Sequence, residues 1–373
     1  MRENRVTRPG RGWTAVAVVS LMYMPMAALA MVPYTAPDPA ALMSQLPDTG
    51  IKGYLQGALV DRTPSYQANI IALVSHTVTG SLLMLLGPYL LWTRPRLCER
   101  RHVIAGRLYL ATVFGLALWS ILVGTILSAI LAWVSAVRHQ IRMHVLWGSL
   151  NYGFLMTAPL LRIEWGLFGL IGVGETLEEA SPQATINLVT ITGTTAVLFA
   201  LYLTDRMRPT APLLGAAPTP RNGGGYARVL VLGSLAAGAV SLVVLVRRYL
   251  DHGDRATTHL AWFVVPLAVA LAVVALLGRR ASRAGRDALA RDHLVLLFWL
   301  GLAPAIALVV SANVIHGALG LEPTIGDGAG VTVSVGYAMV FTLMTFHAIS
   351  IWSARPGRKG LTGSRSRETS VAS

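Results

Sequence analysis

Long apolar stretches, each about the length of a membrane-crossing helix, constrain this chain more than any other feature. A helix needs about 20 mainly apolar residues to cross the roughly 30 Å hydrocarbon core of a bilayer, because each residue adds about 1.5 Å. Clear stretches of this kind lie near residues 13–33, 67–92, 144–163, 185–204, 228–246, 258–278, 293–313 and 331–353. A further apolar region, residues 103–137, is too long for one ordinary crossing and barely long enough for two. Because a backbone in lipid must satisfy its own hydrogen bonds, the expected fold is all-α, a polytopic transmembrane bundle of nine or ten helices.

Composition argues against a soluble domain. Hydrophobic residues make up 54% of the chain and charged residues only 13%, whereas soluble domains carry roughly 25% charged residues. A soluble protein of this size would need more charge to cover its surface, but lipid can solvate the excess apolar side chains. Cys98 is the only cysteine, so an internal disulfide is excluded.

The distribution of positive charge predicts the orientation in the membrane. Short cytoplasmic loops of membrane proteins carry an excess of Lys and Arg. If the N-terminus is cytoplasmic and residues 103–137 cross twice, 24 of the 31 basic residues lie on the cytoplasmic side. The net charge of +14 is then a topology signal and does not indicate nucleic-acid binding. The cytoplasmic basic segments are residues 2–11, 94–101, 138–142, 206–228, 279–291 and 355–367.

The predicted location is the bacterial cytoplasmic (inner) membrane, with both termini cytoplasmic and the lipid bilayer as partner. Two crossings within residues 103–137 require a turn near Gly124. A single long, tilted helix there is the alternative: it gives nine helices, and the predicted membrane sides of all segments before or after this region are then exchanged. Ala28-Leu29-Ala30 has the character of a signal-peptidase site. The apolar stretch before it is longer than the usual signal core of roughly 7–15 residues, so we expect an uncleaved first helix.

A Pro/Gly-rich linker divides the chain into two membrane halves. Gly223–Gly225 belong to this linker, because no strand precedes them to form a phosphate-binding loop. The expected segments are a cytoplasmic basic N-terminus over 1–12, an N-terminal membrane bundle over 13–205, a cytoplasmic linker over 206–227, a C-terminal four-helix bundle over 228–353 and a disordered basic tail over 354–373.

The second helix carries the most unusual polar residue of the apolar stretches. Asn69, His76, Gly80 and Gly87 fall within about 40° on one helix face, at 100° per residue. An imidazole beside a surface without side chains suits a porphyrin, which needs an axial nitrogen and room for its ring. The alternative is that the glycines allow a neighbouring helix to approach closely and that His76 bonds to a neighbour.

A second group of polar residues lies on the third and fifth predicted helices. His144, Asn151 and Arg162 lie within about 20° on one face of the fifth helix. His102 opens the third helix, and Arg107 follows it inside the apolar region. A histidine can ligate a metal and an arginine can bind a carboxylate or a propionate. The alternative is that His144 is interfacial and that Arg162 extends to the outer interface.

The remaining candidates are weaker. His259, His293 and His347 lie near predicted helix ends and are interpreted as hydrated interfacial residues. The sequence contains no Cys-x-x-Cys-His haem attachment, no Walker loop and no His-Glu-x-x-His zinc motif. A hydrolase or an ATPase therefore has no support.

Three short motifs resemble a bacterial membrane-protein family called domain of unknown function 2306. They are His76-Thr-Val-Thr-Gly80 followed by Leu-Leu-Gly87-Pro88, then Arg101-His102-x-x-x-Gly106-Arg107-Leu-Tyr109, then His144-x-x-Trp147-x-x-x-Asn151-Tyr152 ending at Arg162. The resemblance covers residues 13–165 and implies a multi-pass membrane protein. The histidine-bearing helices of that family are similar to those of small b-type membrane cytochromes. Val103 and Val145 stand where the family usually has arginine.

These observations leave three functional hypotheses. The first is a b-type haem or quinone-linked electron-transfer protein with an electron-transfer partner; the candidate metal ligands are His76, His102 and His144, and the candidate haem-contacting residues are Gly80, Gly87, Arg107, Asn151 and Arg162. The second is a transporter or channel for a small solute, with buried Asn69, His76, Asn151 and Arg107 lining the path. The third is a membrane enzyme acting on a lipid-soluble substrate, or an accessory subunit without chemistry.

Overall fold

A computed structural model describes most of the chain. Described residues are 63–92, 100–117, 123–171, 177–207, 223–251, 254–313 and 323–353, together with scattered positions before residue 63, of which 17–25 are helical. No strand occurs among these residues. From residue 63 onwards their helices are α1 Thr63–Ala68, α2 Ile70–Trp92, α3 Arg100–Ala117, α4 Val123–Val137, α5 Ile141–Leu155, α6 Thr157–Ile171, α7 Leu177–Met207, α8 Gly223–Asp251, α9 Asp254–Arg283, α10 Asp287–Gly301, α11 Ala303–Val309 and α12 Pro323–Ser353.

Six of the described segments are long and apolar enough to cross a bilayer. They are Leu73–Leu90, Gln183–Asp205, Ala227–Asp251, Thr258–Arg283, Asp287–Asn313 and Asp327–Ser350. The predicted fold class, an all-α polytopic helix bundle, is thereby confirmed, and the chain is a multi-pass membrane protein. The predicted first crossing, 13–33, lies largely outside the described residues, as do the N-terminal segment 1–12 and the tail 354–373.

The apolar region 103–137 contains two helices, α3 and α4. Tyr109 of α3 and Ser128 of α4 both bond to Asn151, so the middles of the two helices lie at one level of the bundle. Gly124 itself lies in the first turn of α4, and residues 118–122, where the predicted turn would lie, are outside the described part of the chain. Gly124 serves packing instead: a Cβ there would lie 3.2 Å from Cε2 of Phe154.

Two pairs of short helices lie in near-continuous register, α5 with α6 and α10 with α11, and the second pair forms the crossing Asp287–Asn313. Met156 joins α5 to α6 with helical dihedral angles (φ −65°, ψ −15°), and its N–H bonds back to the carbonyl of Tyr152. Leu302 joins α10 to α11 in the same way, and Pro304 follows it at the start of α11. Proline has no N–H for the preceding turn, which accounts for the second interruption.

Both halves of the chain contribute to one core. A single cluster of buried side chains includes Trp147 and Leu201 from the first half and Phe263, Leu296 and Phe346 from the second. The long helix α7 connects them, because it packs against α5 as well as against α9 and α12. The segments 13–205 and 228–353 therefore share their interior.

Gly223–Gly225, which the sequence assigned to the linker, form the first turn of α8. Glycine is unfavourable within a helix but is tolerated in its first turn, where the first N–H groups make no intrahelical bonds. Residues 208–222 of the predicted linker lie outside the described part of the chain.

Ion pairs mark the two ends of the bundle. At one, called the basic end, Arg142 bonds to Asp292 at 3.0 Å, and Arg286 bonds to Asp205. At the other, called the Asp327 end, Arg248 pairs with Asp327 at 3.2 Å. The basic segments 138–142 and 279–291 thus lie together, as the charge pattern predicts.

Candidate functional site

The glycine face of α2 is covered by two tyrosine rings. A Cβ on Gly80 would lie 3.4 Å from the Tyr23 hydroxyl, and a Cβ on Gly87 would lie 2.1 Å from Cε2 of Tyr152. His76 is half-buried on the same helix. The surface expected to receive a porphyrin is therefore filled by aromatic side chains, as the alternative of close helix approach requires.

The polar residues expected to line a buried path are in part exposed. His102 is half-buried at the start of α3, whereas Arg107, one and a half turns further on, is exposed. Asn69, between α1 and α2, is exposed as well. The expectation that Asn69 and Arg107 are buried is therefore wrong.

His144 and Asn151 instead bond to the backbone and hydroxyl groups of neighbouring helices. Nδ1 of His144 lies 2.9 Å from the carbonyl oxygen of Ala132, which can only accept, so Nδ1 carries the proton. Asn151 is completely buried and accepts from the Tyr109 hydroxyl at 2.6 Å. Its amide nitrogen donates to the Thr125 carbonyl at 2.7 Å and to Ser128 Oγ at 3.1 Å.

Arg162 lies in α6, but its side chain is outside the described part of the structure. Within the described residues no group of three or more His, Cys, Asp or Glu side chains is placed to hold a metal ion. The predicted ligands His76, His102 and His144 are consequently not gathered into such a group. With Tyr23 and Tyr152 on the glycine face, a porphyrin does not fit there.

Two C-terminal histidines are more buried than the sequence indicated. His293 has no exposed surface, and its Nδ1 lies 2.7 Å from the carbonyl of Leu289, one turn earlier. His347 is 9% exposed and accepts a hydrogen bond from Nε1 of Trp147 at 3.3 Å. The interpretation of these two residues as hydrated interfacial side chains is wrong, because α5 and α7 cover the end of the bundle where they lie.

The Asp327 end carries a second polar cluster. Asp327 is almost completely buried and accepts from Ser311 Oγ at 2.5 Å as well as from Arg248. Tyr249, next to Arg248, lies with its hydroxyl 3.5 Å from Nδ1 of His259. The ends of α8, α9 and α12 are joined here, together with Ser311, which follows α11.

A groove of about 490 Å³ lies between α7 and α9. Small-molecule sites in proteins measure roughly 300–1,000 Å³. The groove faces outward from the bundle, since Ile191, Val265 and Val269 on its walls are 49%, 61% and 58% exposed. Its lining consists of Asn187, Thr190, Ile191, Thr194, Thr195, Leu198, Ala261, Trp262, Val265, Pro266, Val269, Ala270 and Val273.

The polar residues of the groove lie along one stripe of α7. Asn187, Thr190, Thr194 and Leu198 follow each other at intervals of three and four residues, which places them on one helix face. The hydroxyl of Thr190 bonds to its own helix, at 2.9 Å from the Ile186 carbonyl. The α9 wall is aliphatic except for Trp262. The groove is therefore an apolar slot with polar groups along one side.

One end of the groove is bounded by α6. The Asn187 side-chain amide donates to Oε1 of Glu164, a carboxyl only 8% exposed. Phe168, one turn beyond Glu164, packs on Trp262 with ring centroids 4.8 Å apart. A carboxyl, an amide and two aromatic rings thus meet at this end, which we call the head end.

Sequence reasoning missed this groove, although part of it was visible. The run Thr190-Ile-Thr-Gly-Thr-Thr195 is unusually polar for a membrane crossing, and Asn187 precedes it by one turn. Polar residues inside membrane segments are functional candidates. The partner wall on α9 has no polar pattern, so its pairing with α7 could not be recognised.

Comparisons with known proteins identify no relative. No family model matches the chain, and neither the curated proteins nor the solved structures contain a match. The resemblance of residues 13–165 to domain of unknown function 2306 stays a prediction from the motifs.

Proposed function

We propose that this multi-pass membrane protein binds a lipid-soluble small molecule with a polar head group, of the isoprenoid-quinone class, in the groove between α7 and α9. The observation that carries the proposal is the groove itself: an outward-facing apolar slot of about 490 Å³ with Asn187 and Trp262 at one end. A molecule with an oily chain and a flat polar head matches both parts.

The chemistry of the lining favours a neutral head group over a phosphate. No basic side chain is among the described residues that line the groove, whereas a phosphate is usually bound by Arg or Lys. Trp262, which packs against Phe168, offers a ring a stacking surface at the head end. A quinone-type ring fits this environment better than a phospholipid.

The groove spans a length suited to a ring and the first part of its chain. From Asn187 to Leu198, α7 rises about 17 Å at 1.5 Å per residue. This stripe lies within the membrane-crossing segment Gln183–Asp205. The occupant can enter sideways from the lipid, because the exposed walls Val265 and Val269 face outward.

Filling the groove tests the proposal. Val269→Trp places a large ring on its wall, so we expect the affinity of purified protein for a decyl-chain quinone analogue, measured by equilibrium dialysis in detergent, to fall at least about tenfold. Val240→Trp is the matched control: Val240 is 67% exposed on α8 and is not among the lining residues. That variant should bind within about twofold of the wild-type protein.

Two results would contradict the proposal. If the wild-type protein shows no saturable binding of the quinone analogue, the groove does not bind this class of ligand. Equal loss of binding in both tryptophan variants would place the binding site elsewhere. The haem and transport hypotheses from the sequence stay predictions, and the absorption spectrum of the purified protein tests the first of them.

A further inference from the structure

At the head end of the groove, a hydrogen bond to Glu164 sets the orientation of the Asn187 side-chain amide. Asn187 lines the groove, and its Nδ2 donates to Oε1 of Glu164. Because Glu164 Oε1 accepts this hydrogen bond, the amide turns its nitrogen towards Glu164. The Asn187 carbonyl oxygen, Oδ1, then points the other way.

Further acceptors surround this amide. Glu164 Oε2 and Gln183 Oε1 are buried and have no hydrogen-bond partner among the described residues. Gln183 lies one turn before Asn187 on the same face of α7 and is 8% exposed, as is Glu164. Trp165 Nε1 is a buried donor, also without a partner in the described part of the chain. Two buried acceptors and one buried donor of these residues are thus without partners within the described residues.

We propose that Glu164 orients Asn187 so that the groove presents a hydrogen-bond acceptor, which selects a ligand whose head group bears hydroxyls, the reduced quinol form of the class. The inference rests on the proposed function, since it assigns the head-group chemistry at the same site. Glu164 acts here through Asn187 and is a positioning residue. A quinone carbonyl offers no proton to Oδ1, whereas a quinol hydroxyl does.

A pair of matched ligands tests the selection. The first is decylhydroquinone, kept reduced under argon, and the second is its dimethyl ether, which has the same ring and chain but no donor. We expect purified wild-type protein to bind the hydroquinone about tenfold more tightly, the usual gain from a well-placed hydrogen bond in an apolar site.

Substitutions at the amide and the carboxyl separate orientation from packing. In Glu164→Gln the new amide can donate or accept, so it no longer fixes Asn187. The preference should fall to within about twofold, while the affinity for the dimethyl ether stays unchanged. The double variant Glu164→Gln/Asn187→Asp exchanges the two groups, restores a fixed donor–acceptor pair and should recover the preference. Asp251→Asn is the control, because this carboxyl is exposed at the end of α8.

The outcomes distinguish the two proposals. Equal binding of both compounds by the wild-type protein overturns the role of Glu164 but leaves the groove ligand standing. A tenfold preference that persists in Glu164→Gln, or a double variant that fails to recover it, also overturns that role. Binding of neither compound overturns the proposed function and the inference together.

Discussion

Asn151 joins three helices through one side chain. Its amide oxygen accepts from Tyr109 on α3, and its nitrogen donates to Thr125 and Ser128 on α4, while the residue itself lies on α5. All three hydrogen bonds are short enough to be well formed, and the amide has no exposed surface. A residue that the sequence placed beside a cofactor therefore stabilises helix packing.

Removal of this amide should destabilise the bundle. Asn151→Leu leaves the Tyr109 hydroxyl and the Thr125 carbonyl without their buried partner, which costs about 1–3 kcal/mol of unfolding free energy. The measurement is equilibrium unfolding in mixed micelles of detergent and SDS. Asn313→Leu, at an exposed asparagine, is the control and should change the free energy by less than about 0.5 kcal/mol. A loss no larger than the control's would show that the network contributes nothing.

Small residues decide how closely the helices cross. At Gly238 on α8, an added Cβ would lie 1.9 Å from the backbone oxygen of Gly301 at the end of α10. A backbone atom cannot swing aside as a flexible side chain can, so the two helices would have to separate. Gly233, on the same helix, has no atom within 4 Å of its would-be Cβ.

This pair of glycines gives a matched test of the α8–α10 crossing. Gly238→Ala should lower the unfolding free energy by about 1–3 kcal/mol through overpacking. Gly233→Ala should leave it unchanged or raise it by up to about 1 kcal/mol, because alanine is the better helix former. Thermal unfolding of the two purified variants measures the difference, and similar melting temperatures would mean that the crossing is looser than described.

Helix lengths show what a sequence can and cannot indicate. Six of the apolar stretches correctly predicted segments long and apolar enough to cross the membrane, because lipid imposes that length on any helix. They did not predict that α7 begins at Leu177 or α8 at Gly223, since a helix can continue beyond the lipid without an apolar signal. The groove between α7 and α9 was equally hidden, because it depends on which faces pack together.

Across the whole bundle, ion pairs join helices at each end, the basic end and the Asp327 end. Asp292 on α10 lies at the basic end and Ser311 beyond α11 lies at the Asp327 end, and about 28 Å of helical rise separates them. The sequence predicted this division from the arginines alone, since positive charge accumulates on one side of a membrane. It missed the buried acids, Asp292 and Asp327, because a carboxyl near a helix end carries no sign of its partner.

Cysteine labelling should place the basic end and the Asp327 end on opposite faces of the membrane. With Cys98→Ser as background, single cysteines at Arg138 and Arg283 belong to the basic end, and one at Asp251 belongs to the Asp327 end; all three positions are exposed. In intact cells a membrane-impermeant maleimide should label only position 251, and the other two should react after permeabilisation. Labelling of 138 and 283 on different sides would contradict the shared end.

The sideways opening of the groove between α7 and α9 sets how its occupancy depends on the membrane. A ligand that enters from the lipid is diluted by the lipid around it. The concentration that sets its binding is therefore its mole ratio to lipid and not its concentration in water. Adding lipid at fixed amounts of ligand and protein would dilute the ligand in the membrane and lower the occupancy of the groove. Saturation would thus report the membrane's own composition.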